Sequence, residues 1–363
     1  MKLTSQLRLL PDAAQAVALL ATMRAVNAAA TYAARVGFDR KVYGQVSIHH
    51  LCYTEIRERF GLPSNIAIRA IGKAVECFAR DKATCPVFRP DGAVPCSDRT
   101  YRIASAQLVS IATTSGRIKV PYVVADYFKG SLARKMGEAD LVYRDGKFFL
   151  YISVQFDEPP PIEASDFIGV DLGIVQIATT DDGTAFSGKT TDTVRKRSAR
   201  ARTTYQRRNT RSARRRLKKM SKRQAGFQKH TNHVIAKKIV ALAKGTGRGI
   251  AVEELNGIRS RITVRHTQRS RHSNWSFAQL RTFIEYKAKL AGIPLVAVDP
   301  RNTSKTCSAC GHCDKKNRRS QGHFECLACG FKINADQNGA INIRLRALGA
   351  NVSHPDSVAA PPN

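Results

Sequence analysis

The chain has 363 residues, 43% of them hydrophobic, enough for two or three domains with sizeable cores. Sixty Lys and Arg against 28 Asp and Glu leave a formal net charge of +32, an excess that points to a polyanionic partner, nucleic acid first. A basic ribosomal-type protein is the bland alternative. Five of the nine cysteines lie between Cys307 and Cys329, and Cys52, Cys77, Cys85 and Cys96 are scattered. That distribution argues against a disulfide framework and for a metal site in a reducing compartment. No stretch approaches the roughly 18 apolar residues of a membrane span, and the N-terminus lacks a signal-peptide run, so a cytoplasmic protein without membrane contact is expected.

Residues 2–10 alternate polar and apolar as a short strand. Pro11-Asp12 opens a helical pattern to about Arg35, with Val17, Leu20 and Met23 on one side. A second helix is predicted from an N-cap at Ser47 to Phe60, stopped by Gly61 and Pro63. A third follows Ser64, with Ile68, Ile71, Val75 and Phe78 at helical spacing. From Pro86 the texture turns to β, with runs at 108–112, 117–122, 140–143 and 148–156 and a hairpin turn at Asp145-Gly146. This predicts a β-barrel or sandwich whose first strand is 2–10 and into which a three-helix bundle is inserted. The segment Glu158-Pro159-Pro160-Pro161 marks a boundary.

An apolar strand, Phe167–Asp171, opens a mixed α/β region, followed by Ile174–Thr180, a turn at Asp181-Asp182-Gly183 and Thr184–Phe186. Between Asp192 and Glu253 there is no acidic residue. The run 195–229 includes Arg195, Lys196, Arg197, Arg207, Arg208, Arg214, Arg215, Arg216, Lys218 and Lys219. Such runs are often disordered or simply solvated. This one is internal, and a bound phosphate backbone is its natural counter-charge. A strand at 249–252 ends in Glu253-Glu254, a helix is predicted over 276–291 and a strand over 295–298. A last helix runs from Asp336 to Leu348, and the tail 350–363 has a disordered composition.

Cys307, Cys310, Cys326 and Cys329 read Cys-x2-Cys-x15-Cys-x2-Cys, the spacing of a zinc ribbon. Four thiolates close a structural tetrahedron and leave no position for catalysis. Cys313, His312 and His323 lie close by, and a four-thiolate site needs none of them. The segment runs directly into Asp336. Asp171 and Glu253 each end an apolar strand, so three carboxylates from separate elements could converge at one sheet edge. Two Mg²⁺ ions roughly 4 Å apart, held by such carboxylates, neutralise the entering and leaving oxygens in phosphodiester hydrolysis. Singly the signals are weak: Asp171 could cap a strand, Asp336 could be a helix N-cap, and Glu254 competes with Glu253. Together with the charge they suggest a metal-dependent nuclease.

The residues Ile168-Gly169-Val170-Asp171-Leu172-Gly173, Val252-Glu253-Glu254-Leu255, Thr303-Ser304-Lys305-Thr306-Cys307-Ser308-Ala309-Cys310-Gly311 and Asp336-Gln337-Asn338-Gly339-Ala340-Ile341-Asn342-Ile343 resemble the TnpB family. These are transposon-encoded nucleases related to compact type V CRISPR effectors. The resemblance is specific over 166–345 and weaker over the N-terminal half. It departs from the family at Asn334-Ala335-Asp336, where Asp-Arg-Asp is usual, and at Gly339.

The resemblance implies an α+β multidomain architecture. A wedge β-barrel takes 1–12 and 86–162, and a helical recognition domain takes 13–85. A RuvC-like, ribonuclease H-type nuclease domain takes 163–301 and 332–349, and a zinc-binding target-nucleic-acid module takes 302–331. It implies RNA-guided cleavage of double-stranded DNA beside a short flanking motif, with a transposon-derived guide RNA and a separate transposase in the same element. Asp171, Glu253 and Asp336 would hold Mg²⁺ or Mn²⁺, the four cysteines Zn²⁺, and the basic run 195–229 would fall in a helical insertion of the nuclease domain that faces the guide–target duplex. A compact CRISPR nuclease and a non-cleaving RNA-guided repressor are the alternatives. A DNA-joining transposase also fits the acids.

Overall fold

The computed structural model describes residues 1–126, 130–134, 136–254, 277–320 and 322–349. The predicted disordered tail therefore lies outside the described residues. The chain divides into two compact units, Met1–Asp157 and Glu158–Asn363, and the division falls at the predicted Glu158-Pro159-Pro160-Pro161 boundary.

In the first unit, strand β1 (Lys2–Leu9) is followed by helices α1 (Ala13–Asp39), α2 (Gln45–Phe60) and α3 (Ser64–Arg80). Strands β2 (Val94–Cys96), β3 (Tyr101–Ile103), β4 (Leu108–Thr113), β5 (Gly116–Val124), β6 (Met136–Arg144) and β7 (Lys147–Gln155) follow. They form one seven-stranded sheet in the order β2-β6-β7-β1-β5-β4-β3. Strand β1 therefore lies in the middle, antiparallel to both β7 and β5, and the bundle interrupts the sheet in sequence after its central strand. The Tyr101 hydroxyl on β3 donates to the Gly137 carbonyl on β6, linking the two ends of a nearly closed barrel. Asp145 and Gly146 both adopt positive φ, as a tight hairpin turn requires.

Three local expectations need correction. Asp12 caps α1 through a capping box with Gln15, but the buried stripe is Leu19, Met23, Val26, Ala30 and Ala33, and Val17 points outward. Gly44 is the N-cap of helix α2, so Ser47 lies inside it and caps nothing. Helix α1 is also long and apolar enough to cross a membrane by length and composition, against the expectation that no segment was. Its apolarity serves the bundle instead: it packs on α3 and α2 through alanines that let the backbones approach.

The second unit is built on a five-stranded sheet. Its strands are β8 (Phe167–Asp171), β9 (Gln176–Thr180), β10 (Ala185–Ser187), β11 (Gly249–Glu253) and β12 (Leu295–Val298). The order is β10-β9-β8-β11-β12. β8 pairs antiparallel with β9 and parallel with β11, and β11 pairs parallel with β12. The basic run is helical: α4 (Lys189–Arg208) and α5 (Arg211–Thr246) pack against each other across Asn209, which takes a left-handed conformation. Ile235, Ala236, Ile239 and Ala243 of α5 and Leu280 and Ile284 of α6 (Phe277–Leu290) join Ile168, Val170, Ile250 and Val252 in one core. Helix α7 (Ala335–Ala347) packs against the sheet through Ile343, in contact with Ala251 and Val298.

Alternation along the strands follows from this layering. Gly169 and Ala251 face α7, and so do the residues two further on, Asp171 and Glu253. Gly169 allows the closest approach: a Cβ there would fall 1.9 Å from the Ala340 carbonyl oxygen and 2.8 Å from the Arg344 nitrogen. Both are backbone atoms, so no side chain can swing away. Gly169→Ala is expected to cost about 3 kcal/mol or to abolish soluble expression. A wild-type thermal midpoint in that variant would mean strand and helix do not meet in this way.

Candidate active site and metal centre

Asp171 ends β8, Glu253 ends β11 and Asp336 occupies the first turn of α7. The structure brings all three together. Loss of hydration, and then the neighbouring carboxylates of Glu253 and Asp336, push the Asp171 carboxyl up to about 8. Burial also raises Glu253 and Asp336 above their ordinary values. Three carboxylates gathered in this way stay ionised only beside a positive charge. All three offer oxygen, the donor class that hard divalent cations take.

Three side chains that sequence reasoning did not single out complete the surroundings. Arg318 donates to Asp336 Oδ1 at 3.0 Å and lowers both Asp336 and Asp171. Thr303 donates to Glu253 Oε1 at 2.5 Å. Asn334, not Asp336, is the N-cap of α7; its side chain accepts from the Asp336 and Gln337 nitrogens, leaving the Asp336 carboxylate to the site. No spacing rule pointed to Arg318, which lies 18 residues before its partner in an irregular loop. The ambiguity between the two glutamates also resolves. Glu254 points the other way along the pleat, into a two-bonded pair with Arg281 at 2.6 and 2.8 Å. Gly339 departs from the family pattern at little cost, because a Cβ there would rest 3.4 Å from Asp171 Oδ2, in ordinary contact.

Behind the acids a second charge cluster fixes the frame. Arg344 on α7 makes two bonds to Asp166, at 2.8 and 2.9 Å, just before β8. Arg248, before β11, donates to Asp181 at 3.0 Å, and Asp181 accepts from the Gly169 nitrogen. Strands β8, β9 and β11 and helix α7 are thus tied at the end away from Asp171.

The four cysteine sulfurs lie within 4.8 Å of one another. Cys307 and Cys329 are 3.8 Å apart and Cys310 and Cys326 3.5 Å, close to the edge of about 3.8 Å that a tetrahedron with Zn–S bonds of about 2.3 Å requires. The two Cys-x2-Cys turns are built alike. Gly311 donates to the Cys307 carbonyl and Gly330 to the Cys326 carbonyl, both glycines at positive φ. Burial pushes Cys307 up to about 12 and would raise Cys326 as well; at Cys326 the backbone N–H groups of Cys329 and Ala328, with the neighbouring thiols, outweigh it and bring it down to about 6. Backbone donors aimed at sulfur favour the thiolate that a metal needs. The geometry therefore fits zinc. Cys313 is half-buried and stands outside this cluster.

Of the basic residues, Arg197, Arg207, Arg208, Arg214, Arg215, Arg216, Lys218 and Lys219 are exposed on α4 and the first half of α5. Arg195 is half-buried, and it and Lys196 pair with Asp192 at 2.8 and 3.0 Å. The half of α5 that carries the arginine run buries only Ala213, so these charges project away from the core.

The fold and site define an α+β protein with a nearly closed β-barrel sheet, a three-carboxylate cluster and a four-cysteine module. Residues 151–257 match the OrfB_IS605 family, described as a probable transposase, and residues 277–343 match the Cas12f1-like TNB domain. The chain is 43% identical over 122 residues to the CRISPR-associated endodeoxyribonuclease Cas12f1 of Sulfoacidibacillus thermotolerans, covering 33% of this chain and 28% of that protein. It is 26% identical over 303 residues to the putative RNA-guided DNA endonuclease InsQ of Escherichia coli (77% of this chain, 73% of InsQ). It is 33% identical over 112 residues to a TnpB-like protein of Methanocaldococcus jannaschii (31% of this chain, 40% of that protein). The Cas12f1 chain in a complex with single-guide RNA and target DNA superposes with a TM-score of 0.64 at 16% identity, covering 91% of this chain and 83% of that one. The matches to the first three curated relatives span between 22% and 28% of those proteins. By its sequence the chain is a relative of the TnpB family and of the Cas12f proteins, as its motifs indicated.

Two outcomes test the site. A folded-state Asp171 near pH 8 holds a proton that the unfolded chain releases near pH 4, so without added divalent ions stability falls as pH rises between those values. Asp171→Asn removes that loss. Its thermal midpoint should match wild type near pH 4 and exceed it by several degrees at about pH 9; equal midpoints at both would exclude the buried acid cluster. Cys307→Ser should bind well under the roughly one zinc per chain of a closed four-thiolate site, measured by atomic absorption. Full zinc content would remove Cys307 from the ligand set.

Proposed function

We propose that the chain is an RNA-guided DNA endonuclease of TnpB type, associated with an insertion sequence. It cleaves double-stranded DNA next to a short flanking motif by metal-dependent phosphodiester hydrolysis at a single site. The observation that carries this reading is the convergence of Asp171, Glu253 and Asp336 from three elements beside a zinc-competent module. The sheet order, with an antiparallel hairpin joined to parallel strands, supports assigning 163–301 and 332–349 to a ribonuclease H-type RuvC domain. By the same reading the barrel is the wedge domain, α1–α3 the recognition domain and 302–331 the target-nucleic-acid module.

Asp171, Glu253 and Asp336 would hold two Mg²⁺ or Mn²⁺ ions, which when bound activate the attacking water and neutralise the leaving oxygen. The carboxylates fix where the scissile phosphate lies. Arg318 places a guanidinium at the same spot and offsets their charge in its absence. The exposed arginines of α4 and α5 bind the guide–target duplex through its backbone, while base pairing supplies sequence. Cys307, Cys310, Cys326 and Cys329 would hold zinc, which would brace the loop bonded to the N-terminal end of α7. Such a protein works in the prokaryotic cytoplasm, on the nucleoid.

The Cas12f1-like match keeps a second reading, a compact type V CRISPR nuclease. Transposon ends beside the gene favour the first reading; a repeat array favours the second. The direct test is to sequence the RNA that co-purifies with the protein expressed beside its native flanking DNA. A discrete RNA ending in variable sequence supports guided cleavage, and bulk cellular RNA refutes it. With that RNA, Asp171→Ala should reduce plasmid cleavage by at least about 10²-fold and leave RNA binding unchanged. Retained cleavage would remove Asp171 from the metal ligands, and retained binding with no cleavage in wild type would indicate a repressor.

A further inference from the structure

We propose that Thr303 is a positioning residue for Glu253, held in place by Asn338 and Asn342, so that the cysteine module forms one wall of the carboxylate site. This rests on the reading of Asp171, Glu253 and Asp336 as ligands of divalent ions.

The three acids are held unequally. Asp171 and Asp336 have short side chains, and Asp336 is fixed further by Arg318. Glu253 has one more rotatable bond and sits at the free end of β11, where its next residue turns towards Arg281. Thr303 is what holds it: Oγ1 lies 2.5 Å from Glu253 Oε1. The same hydroxyl lies 3.1 Å from the Pro300 carbonyl, and it has one proton to give. The carboxylate is the stronger acceptor, so Pro300 sets the rotamer and Glu253 takes the hydrogen bond. Only one of the two Glu253 oxygens is engaged by Thr303.

Thr303 is itself immobilised. It is 3% exposed, and its carbonyl accepts from Asn342 Nδ2 at 2.8 Å. Asn342 Nδ2 also donates to the Thr306 carbonyl at 2.7 Å, and Asn338 Nδ2 to the same carbonyl at 2.8 Å. Asn338 Oδ1 accepts from the Ser308 nitrogen at 3.1 Å. The two asparagines are four residues apart, on one face of α7, and both are buried. Asp336 lies on the same helix two residues before Asn338. Thr306 and Ser308 flank Cys307. The helix that supplies one acid therefore grips the cysteine loop, and that loop grips a second acid. Burying three polar side chains to bond one turn is costly unless the turn must be fixed.

The test uses full-length protein freed of RNA, titrated with Mn²⁺ and read by electron paramagnetic resonance, with Asp171→Asn to assign the signal. Plasmid cleavage against Mg²⁺ concentration is measured in parallel on the guide-loaded protein. Thr303→Val removes the hydroxyl at constant volume. It should weaken Mn²⁺ binding and raise the half-saturating Mg²⁺ concentration by about 10-fold or more, with zinc content and RNA binding unchanged. Thr303→Ser should restore both to within about 3-fold. Should Thr303→Val prove insoluble, Thr303→Ala carries the same expectation. Wild-type Mn²⁺ affinity in the hydroxyl-free variant overturns the proposal, as does a Ser variant as weak as Val, since packing would then be the cause. A wild-type protein with no Asp171-dependent Mn²⁺ signal overturns the reading of the acids instead.

Discussion

The second unit depends on one close approach, the backbone of helix α7 lying directly on strand β8 at Gly169. A helix usually stands about 10 Å from a sheet because side chains intervene; here one side of the contact has none. That spacing lets an Asp in the first turn of the helix and an Asp at the end of the strand share one site. Neither side chain is long enough to bridge an ordinary helix–sheet gap. The ion pairs of Arg344 with Asp166 and of Arg248 with Asp181 lie at the opposite end of the strand and oppose sliding of the helix. They are half-buried and bonded at several points, the circumstance in which ion pairs fix geometry rather than merely decorate a surface.

The arrangement is electrostatically expensive. Burial, and then neighbours that carry its own sign, raise Asp171 to about 8. A fold does not assemble such a cluster for stability, since isosteric neutral side chains would relieve it. On the proposed reading its value is to bind positive charge. Arg318 supplies part of that charge from within the chain, through its ion pair with Asp336 at 3.0 Å.

Much of this was legible in the sequence, for reasons that differ by element. Strands β8 and β11 announce themselves because both faces are covered, giving unbroken apolar runs that stop at an acid. The cysteine spacing is legible because a tetrahedral site constrains four residues at once. The long helices α4 and α5 were legible only through the family resemblance, since the first half of α5 carries no amphipathic stripe; only the later Ile235, Ile239 and Ala243 do. Helix α1 misled in detail for the opposite reason. It is apolar nearly all round, so periodicity could not tell Val17, which is exposed, from Leu19, which is not. The choice between Glu253 and Glu254 needed the pleat. Once Gly169 and Ala251 are known to face α7, parity alone sends Glu253 to the site and Glu254 away from it.

Residues such as Arg318, Thr303, Asn338 and Asn342 were invisible individually because each acts across an irregular loop, where no period relates sequence distance to space. The order of the chain nevertheless explains why the cysteine module sits where it does. It is inserted between β12, which neighbours Glu253, and α7, which carries Asp336. A loop in that position must return to the sheet edge at both ends. A flexible connection of that length would leave the first turn of α7 free to fray, because helix ends have unsatisfied donors and few packing contacts. The bonds of that loop to Asn338 and Asn342 remove that freedom, zinc held by the four cysteines would stiffen the loop further, and Asn334 satisfies the first donors directly. The zinc-competent module is then a structural condition for an acid at the very start of a helix to keep a fixed place beside Asp171.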